Sequence, residues 1–220
     1  MSTLELYWIS GSPPAWRVML ALTLKGVPFR SRRLDHGKGE NKTPAYLALN
    51  PKGQVPTLVH DGLVVRESIA ILAYLDRAWV NRPIFGATPA EAAAIWQDVM
   101  LFEGDLRPAV TTIAQTLLGN RSGERAEALA AAVATLYQHY AALSTRLSDA
   151  PYLGGSEPMA ADIWLYPAMG WIGRGIERTR DGVPSALANW RTTHPALAAW
   201  HDRLGALPGV DATHPPHWRD

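Results

Sequence analysis

Cysteine is absent from this 220-residue chain, and that one gap removes disulfide bridges, thiolate metal sites and any dithiol redox cycle run by the protein's own sulfur. A surplus of either charge is also missing. With 21 Lys and Arg against 20 Asp and Glu, the basic excess of a nucleic-acid binder is not there. Arg30, Arg32 and Arg33 do cluster, and their spacing suits the solvated face of an edge strand. Apolar runs are short: none approaches the roughly 18 residues of a membrane span, and Met1 to Glu5 lacks the basic start and apolar core of a secretory signal. The expectation is a cytoplasmic protein with neither a membrane nor a nucleic-acid partner. The seven histidines show no HExxH spacing, and His214 and His217 fall in a tail segment, so no metal site is expected. No internal repeat is found.

What is present begins with the stretch from Asn50 to Arg77. Gln54-Val55-Pro56 leads into an apolar run, Thr57 to Val59, and Asp61-Gly62 predicts a tight primed turn onto Leu63-Val64-Val65. A helix follows, with Ile71, Leu72, Leu75 and Trp79 on one face. Pro56 has no N–H to give a central strand. Either it is an ordinary trans proline at a strand entry, or it is cis and turns the N–H and C=O of Val55 outward. An extended peptide-like ligand can pair with such a free edge. Glu67-Ser68, at the helix start, also has two readings. One is a serine cap with a first-turn acid. The other is a seat for a zwitterionic amino-acid head group, its carboxylate at Ser68 and its ammonium at Glu67.

The rest of the chain frames this unit. Leu4 to Ile9 has the composition of a first strand, Ser10-Gly11-Ser12-Pro13-Pro14 breaks it, and a helix is predicted from Ala15 to Lys25, ended by Gly26. A strand from Phe29 to Leu34 completes a β-α-β-…-β-β-α order, a small sheet with helices on its faces. A Pro- and Gly-containing segment at 81–87 reads as a linker. Thr88-Pro89-Ala90-Glu91 is a capping box that predicts one helix running to about Leu118. A second helix is predicted from Glu124 to Leu147 and a third from near Pro158. Alanine-rich as it is, the second keeps Leu129, Val133, Leu136, Tyr137 and Tyr140 in an apolar stripe.

The Q-V-P turn followed by the E-S helix start closely resembles the glutathione-binding half of the cytosolic glutathione transferases. The resemblance implies a thioredoxin-like α/β domain over residues 1–80 and an all-α domain over 88–220. In that family the valine backbone pairs with the cysteinyl unit of glutathione, the proline is cis, and the Glu-Ser pair holds the γ-glutamyl end; those roles fall on Val55, Pro56, Glu67 and Ser68. Ser12 to Val18 resembles the S-x-x-x-x-R-V pattern of the phi and zeta classes, which assigns the sulfur contact to Ser12, with Ser10 and Tyr7 as alternates. The plain reading of Ser12 is a helix cap. Lys42 matches a contact to the glycine carboxylate, Asn41 stands where phi-class members have histidine, and Gln54 matches a contact to the tripeptide backbone. Asp162 matches an aspartate in the first turn of the family's core helix, but Met159 replaces the usual Ser or Thr three residues earlier. Either Ser156 caps in a shifted register or the cap is lost.

His194 to Val210 resembles the family's late helix. Glutathione as co-substrate, a small apolar electrophile, an apolar pocket with Trp96, Trp164 and Trp171 as candidate walls, and a homodimer follow as implications. So do conjugation, elimination or isomerisation as possible reactions, with a non-catalytic binding module as the rival. The protein's lack of cysteine means the reactive sulfur must come with the ligand.

Overall fold

A computed structural model of the protein describes residues 3–179 and 182–219. Contacts divide the chain into two units, one running to Phe85 and taking in the segment from Leu207 onward, the other Gly86–Ala206. The expected 88–220 domain is thereby corrected at its end. The segment after Ala206 packs with the first unit through contacts that no local pattern announces.

The first unit is built on a four-stranded mixed sheet in the order β2-β1-β3-β4, with β1 at Leu4–Trp8, β2 at Arg30–Arg33, β3 at Thr57–His60 and β4 at Leu63–Arg66. Strand β1 alternates, burying Leu4, Leu6 and Trp8, and runs parallel to β2 but antiparallel to β3. All of β2 is exposed, as its arginines suggest for an edge; Arg30 and Arg32 both reach Glu5, at 3.4 and 2.7 Å. The hairpin turn has Asp61 at φ 47° and Gly62 at φ 87°, the positive pair that a primed turn requires.

Helix α1, Pro13–Lys25, joins β1 to β2 and ends where Gly26 takes the left-handed conformation at φ 66°. A short helix α2, Pro44–Leu49, precedes β3, and α3, Ser68–Ala78, follows β4 and buries Ile71, Leu72 and Leu75. Leu6, Val18, Leu22, Leu58, Ile71 and Leu72 are fully buried, each contributing about 1.5–3 kcal/mol by the transfer scale.

The register decides where function can sit. Tyr7 pairs with Thr57, Thr57 with Arg66, and Trp8 with Arg33. The segments after β1, after β2, before β3 and after β4 therefore all leave the sheet at one end. That end gathers residues 9–12, 34–43, 50–56 and 67–68, the stretches the sequence marked.

The second unit is helical. Helix α4, Pro89–Leu101, starts on the expected capping box: Glu91 N–H donates to Thr88 Oγ1 at 3.2 Å and Thr88 N–H to Glu91 Oε2 at 3.1 Å. The single helix expected to reach Leu118 does not form. A π-helical turn at Phe102–Leu106 interrupts it before α5, Arg107–Leu118. Pro108 has no N–H for the carbonyl four residues back, and a wider turn absorbs that missing bond.

Helices α6, Ala126–Asp149, and α7, Ala160–Arg178, follow, then α8, Ser185–Ala188, α9, Trp190–Thr193, and α10, Pro195–Gly205. The cap of α7 falls at Met159, not Ser156, with a thioether, a weak acceptor, where a hydroxyl is usual. Asp162 carries the junction instead. Its buried carboxylate accepts from the N–H groups of Leu153, Gly154 and Met159 at 2.8, 3.2 and 2.9 Å, and from Trp200 Nε1 at 2.7 Å. Burial pushes this carboxyl above the usual carboxylate range, against the pull of those donors. No described helix is long and apolar enough to cross a membrane.

Candidate functional site

The Val55–Pro56 bond is cis. Strand β3 begins only at Thr57, and among the described residues neither the N–H nor the C=O of Val55 has a hydrogen-bond partner. The turn carrying it is pinned from behind. Tyr46 on α2 donates its hydroxyl to the Gln54 carbonyl at 2.6 Å, Asn50 Nδ2 reaches the same oxygen at 2.8 Å, and both touch Thr57 Oγ1. Asn41 is buried and donates Nδ2 to the Gly53 carbonyl at 2.7 Å, so it stands behind the turn and holds it. Lys42 donates Nζ to the Lys52 carbonyl at 3.1 Å from an exposed position, and the Gln54 side chain is exposed. What results is a fixed backbone edge with one N–H and one C=O left to offer.

Next to the turn in the register lies the start of α3. Glu67 holds φ 65°, a region that disfavours a residue with a Cβ by about 1–3 kcal/mol and is found where surrounding structure imposes it. Among the described residues no side chain caps α3. Beneath it, Arg17 Nη1 donates to Ser68 Oγ at 3.2 Å, and both residues are buried. An uncapped helix N-terminus backed by a buried guanidinium favours an anion. The Glu67 carboxylate is exposed and pairs with Lys52 Nζ at 2.7 Å, a contact open to exchange with a ligand's ammonium. Arg17 was written in the S-x-x-x-x-R-V pattern, so its position had a sequence signal; its charge beside Ser68 did not.

The three hydroxyls proposed for the sulfur differ in how they are committed. Ser12 caps α1, accepting from Ala15 N–H at a long 3.4 Å, which leaves its own proton to donate. Pro13 and Pro14 have no N–H, so the first two positions of α1 add no donor, and the Ser12 hydroxyl must carry most of any anion contact there. Ser10 Oγ lies 2.6 Å from His217 Nδ1. Tyr7 donates to Glu5 Oε2 at 3.2 Å, and burial, helped by the nearby Glu5 charge, raises its pKa. Of the three, Ser12 is the least committed donor. Beside Ser10 opens a cavity of about 450 Å³, bordered by Ile9, Arg33, Leu34, His36, Glu40 and His217. Sequence reasoning missed His217, because a tail histidine has no local signal for a contact with the first loop.

Within the helical unit, Trp164 is only 1% exposed, donates Nε1 to Glu103 Oε1 at 2.6 Å and has its ring centroid 5.4 Å from that of Phe102. Its expected place as a pocket wall is corrected to one in the core, where a large ring with a satisfied N–H belongs. Trp96 and Trp171 are half-buried. Among the described residues no group of three or more His, Asp or Glu is arranged to share a metal ion.

Comparison with known proteins gives the same two-part division. Residues 11–78 match the family model described as Glutathione S-transferase, N-terminal domain, and residues 126–203 match Glutathione S-transferase, C-terminal domain. Glutathione S-transferase 1 of Dianthus caryophyllus is 32% identical over 166 residues, covering 74% of this chain and 75% of that one. Maleylacetoacetate isomerase of Pseudomonas aeruginosa is 29% identical over 220 residues, covering 99% and 98%. Among solved structures, a glutathione S-transferase from the Antarctic clam Laternula elliptica superposes with a TM-score of 0.81 at 24% identity, covering 99% of this chain and 94% of that chain.

Proposed function

Since the chain belongs to the glutathione S-transferase family, we propose that it binds glutathione along Val55 and uses the tripeptide's thiolate to attack a small electrophile. The observation that carries the reading is the unpartnered N–H and C=O of Val55 at the same end of the sheet as the Arg17-backed start of α3. The cysteinyl unit pairs with Val55 as a short antiparallel strand. The γ-glutamyl carboxylate lies at Ser68, its ammonium at Glu67, and the glycine carboxylate is reached by Lys42.

Ser12 donates its hydroxyl to the sulfur. A free thiol with pKa near 8.5 needs about 2.7 kcal/mol of preferential stabilisation to drop by ~2 units. A hydroxyl bond to a charged acceptor contributes about 1.5–3 kcal/mol. One serine is therefore enough. It stabilises the nucleophile without becoming one.

A second reading is favoured by the isomerase among the relatives. There the thiolate adds to an activated double bond, the adduct rotates, and elimination returns both the thiolate and the isomerised product. Product analysis separates the two: conjugation consumes glutathione mole for mole, isomerisation leaves it unchanged. The chain works as a cytoplasmic homodimer in either case, which sedimentation equilibrium tests. The decisive experiment is calorimetric titration with glutathione. Saturable heat below millimolar concentration supports the reading, and no heat at millimolar concentration overturns it.

A further inference from the structure

The bond that holds Ser10 comes from the far end of the chain. Beyond α10 the backbone packs with the first unit from Leu207 onward, and several contacts fasten it there. Trp16 Nε1 donates to Thr213 Oγ1 at 2.7 Å, and the Trp16 ring meets the rings of His214 at 4.8 Å and Trp218 at 5.6 Å. The His217 imidazole lies against Gly11, where a Cβ would come within 2.9 Å of Cε1; glycine is needed there for that approach and for φ 84°. His217 Nδ1 then reaches Ser10 Oγ at 2.6 Å, and the two side chains border the 450 Å³ cavity together. The tail thus touches the serine loop at its first two residues. The third, Ser12, is held by local bonds: its N–H donates to the Ile9 carbonyl at 3.2 Å, its carbonyl accepts from Trp16 N–H at 2.9 Å, and its hydroxyl caps α1.

We propose that His217 is a positioning residue of the sulfur site: it engages the Ser10 hydroxyl and fixes the Ser10-Gly11-Ser12 loop, so that Ser12 alone presents a proton to the glutathione sulfur. This rests on the reading above, in which Ser12 serves the sulfur of bound glutathione. With the imidazole proton on Nε2, Ser10 donates its hydroxyl to Nδ1 and has no proton left for the sulfur, and in either tautomer the imidazole's contact with Gly11 limits how far the loop can move. The other charged and titratable groups bordering the cavity are Arg33, Asp35, His36 and Glu40, and none of them is altered in the test.

The test compares full-length wild type, His217→Leu, Ser10→Ala, the double variant and His217→Asn. The readouts are the pKa of the bound glutathione thiol, followed by its thiolate ultraviolet absorbance, and glutathione affinity by calorimetry. His217→Leu and Ser10→Ala are each expected to raise that pKa by about half a unit to one unit, a three- to tenfold loss of thiolate below it. The double variant shifts no further, because both changes break one tie. His217→Asn, whose amide reaches the Nδ1 position, restores most of the wild-type value. Glutathione affinity measured at about pH 5.5, where the bound thiol stays protonated, remains within about twofold, since Val55 and Ser68 are untouched. If His217→Leu does not fold, Ser10→Ala and His217→Asn still carry the comparison. An unchanged thiol pKa in Ser10→Ala, or additive shifts in the double variant, overturns the proposal. Failure of glutathione to bind wild type, or an unchanged pKa in Ser12→Ala, overturns the underlying reading, and the proposal falls with it.

Discussion

Replacing Ser12 removes two bonds at once, and the structure says how to separate them. The first is the donation to the sulfur. At about 1.5–3 kcal/mol for a hydroxyl bonded to a charge, and ~1.36 kcal/mol per pKa unit, its loss raises the pKa of bound glutathione by about 1–2 units. Pro13 and Pro14 leave no helix amide at the next two positions to compensate, so the full shift is expected. The second is the cap of α1. Losing a serine cap to alanine costs about 1 kcal/mol, here toward the lower end because the bond to Ala15 N–H is 3.4 Å, whereas glycine at a cap costs only a few tenths. Ser12→Ala and Ser12→Gly should therefore share the same thiol pKa shift and differ by roughly half a kcal/mol in stability. Thiolate absorbance against pH reads the first quantity and urea unfolding the second. Variants that lose stability in this order while the bound thiol titrates as in wild type would show that Ser12 is a cap and nothing more.

The buried polar groups of the helical unit give further expectations. His194 lies among Tyr137, Tyr140 and Trp190, its Nε2 is buried with no hydrogen-bond partner among the described residues, and burial pushes its pKa below the ordinary imidazole value. In a window below pH ~6.5 the unfolded chain holds a proton there that the folded chain does not, so stability is full above that pH and falls as the pH drops through the window. His194→Phe should flatten urea-measured stability between pH 7 and 5 on the scale of this one site; His214, shifted the same way mainly by burial, leaves a residual slope. Asp162→Ala strands four N–H donors in the core and should cost at least about 3 kcal/mol, read as a lower urea midpoint, with little change in glutathione affinity for whatever fraction remains folded.

The parts of this molecule that could be read from the sequence are those that local chemistry determines. Asp61-Gly62 had to turn, Thr88 and Glu91 had to cap, and Gly26 had to end α1, because each is decided by bonds within a few residues. Val55, Pro56, Glu67 and Ser68 were legible for a related reason: they lie in one short stretch whose order of turn, hairpin and helix start is itself a pattern. The break at Phe102–Leu106 was not legible, because apolar periodicity runs through it and a π-helical turn changes the hydrogen bonds without changing composition. Trp164 was expected as a pocket wall because its helix could face the cleft, but no pattern says which residues of such a helix the rest of the unit covers. The contacts of Arg17 with Ser68 and of His217 with Ser10 join residues 51 and 207 positions apart. Only the folded sheet, with its loops gathered at one end, brings them together.

Val55 offers the most direct measurement of the central claim. Its amide proton has no partner among the described residues, so hydrogen exchange followed by NMR should be fast in the free protein. With saturating glutathione, that amide is expected to slow by tenfold or more as the tripeptide pairs with the edge, while amides in the middle of β1 stay as they were. If Val55 exchanges at the same rate with and without glutathione, the ligand does not dock as an added strand, and the account is contradicted.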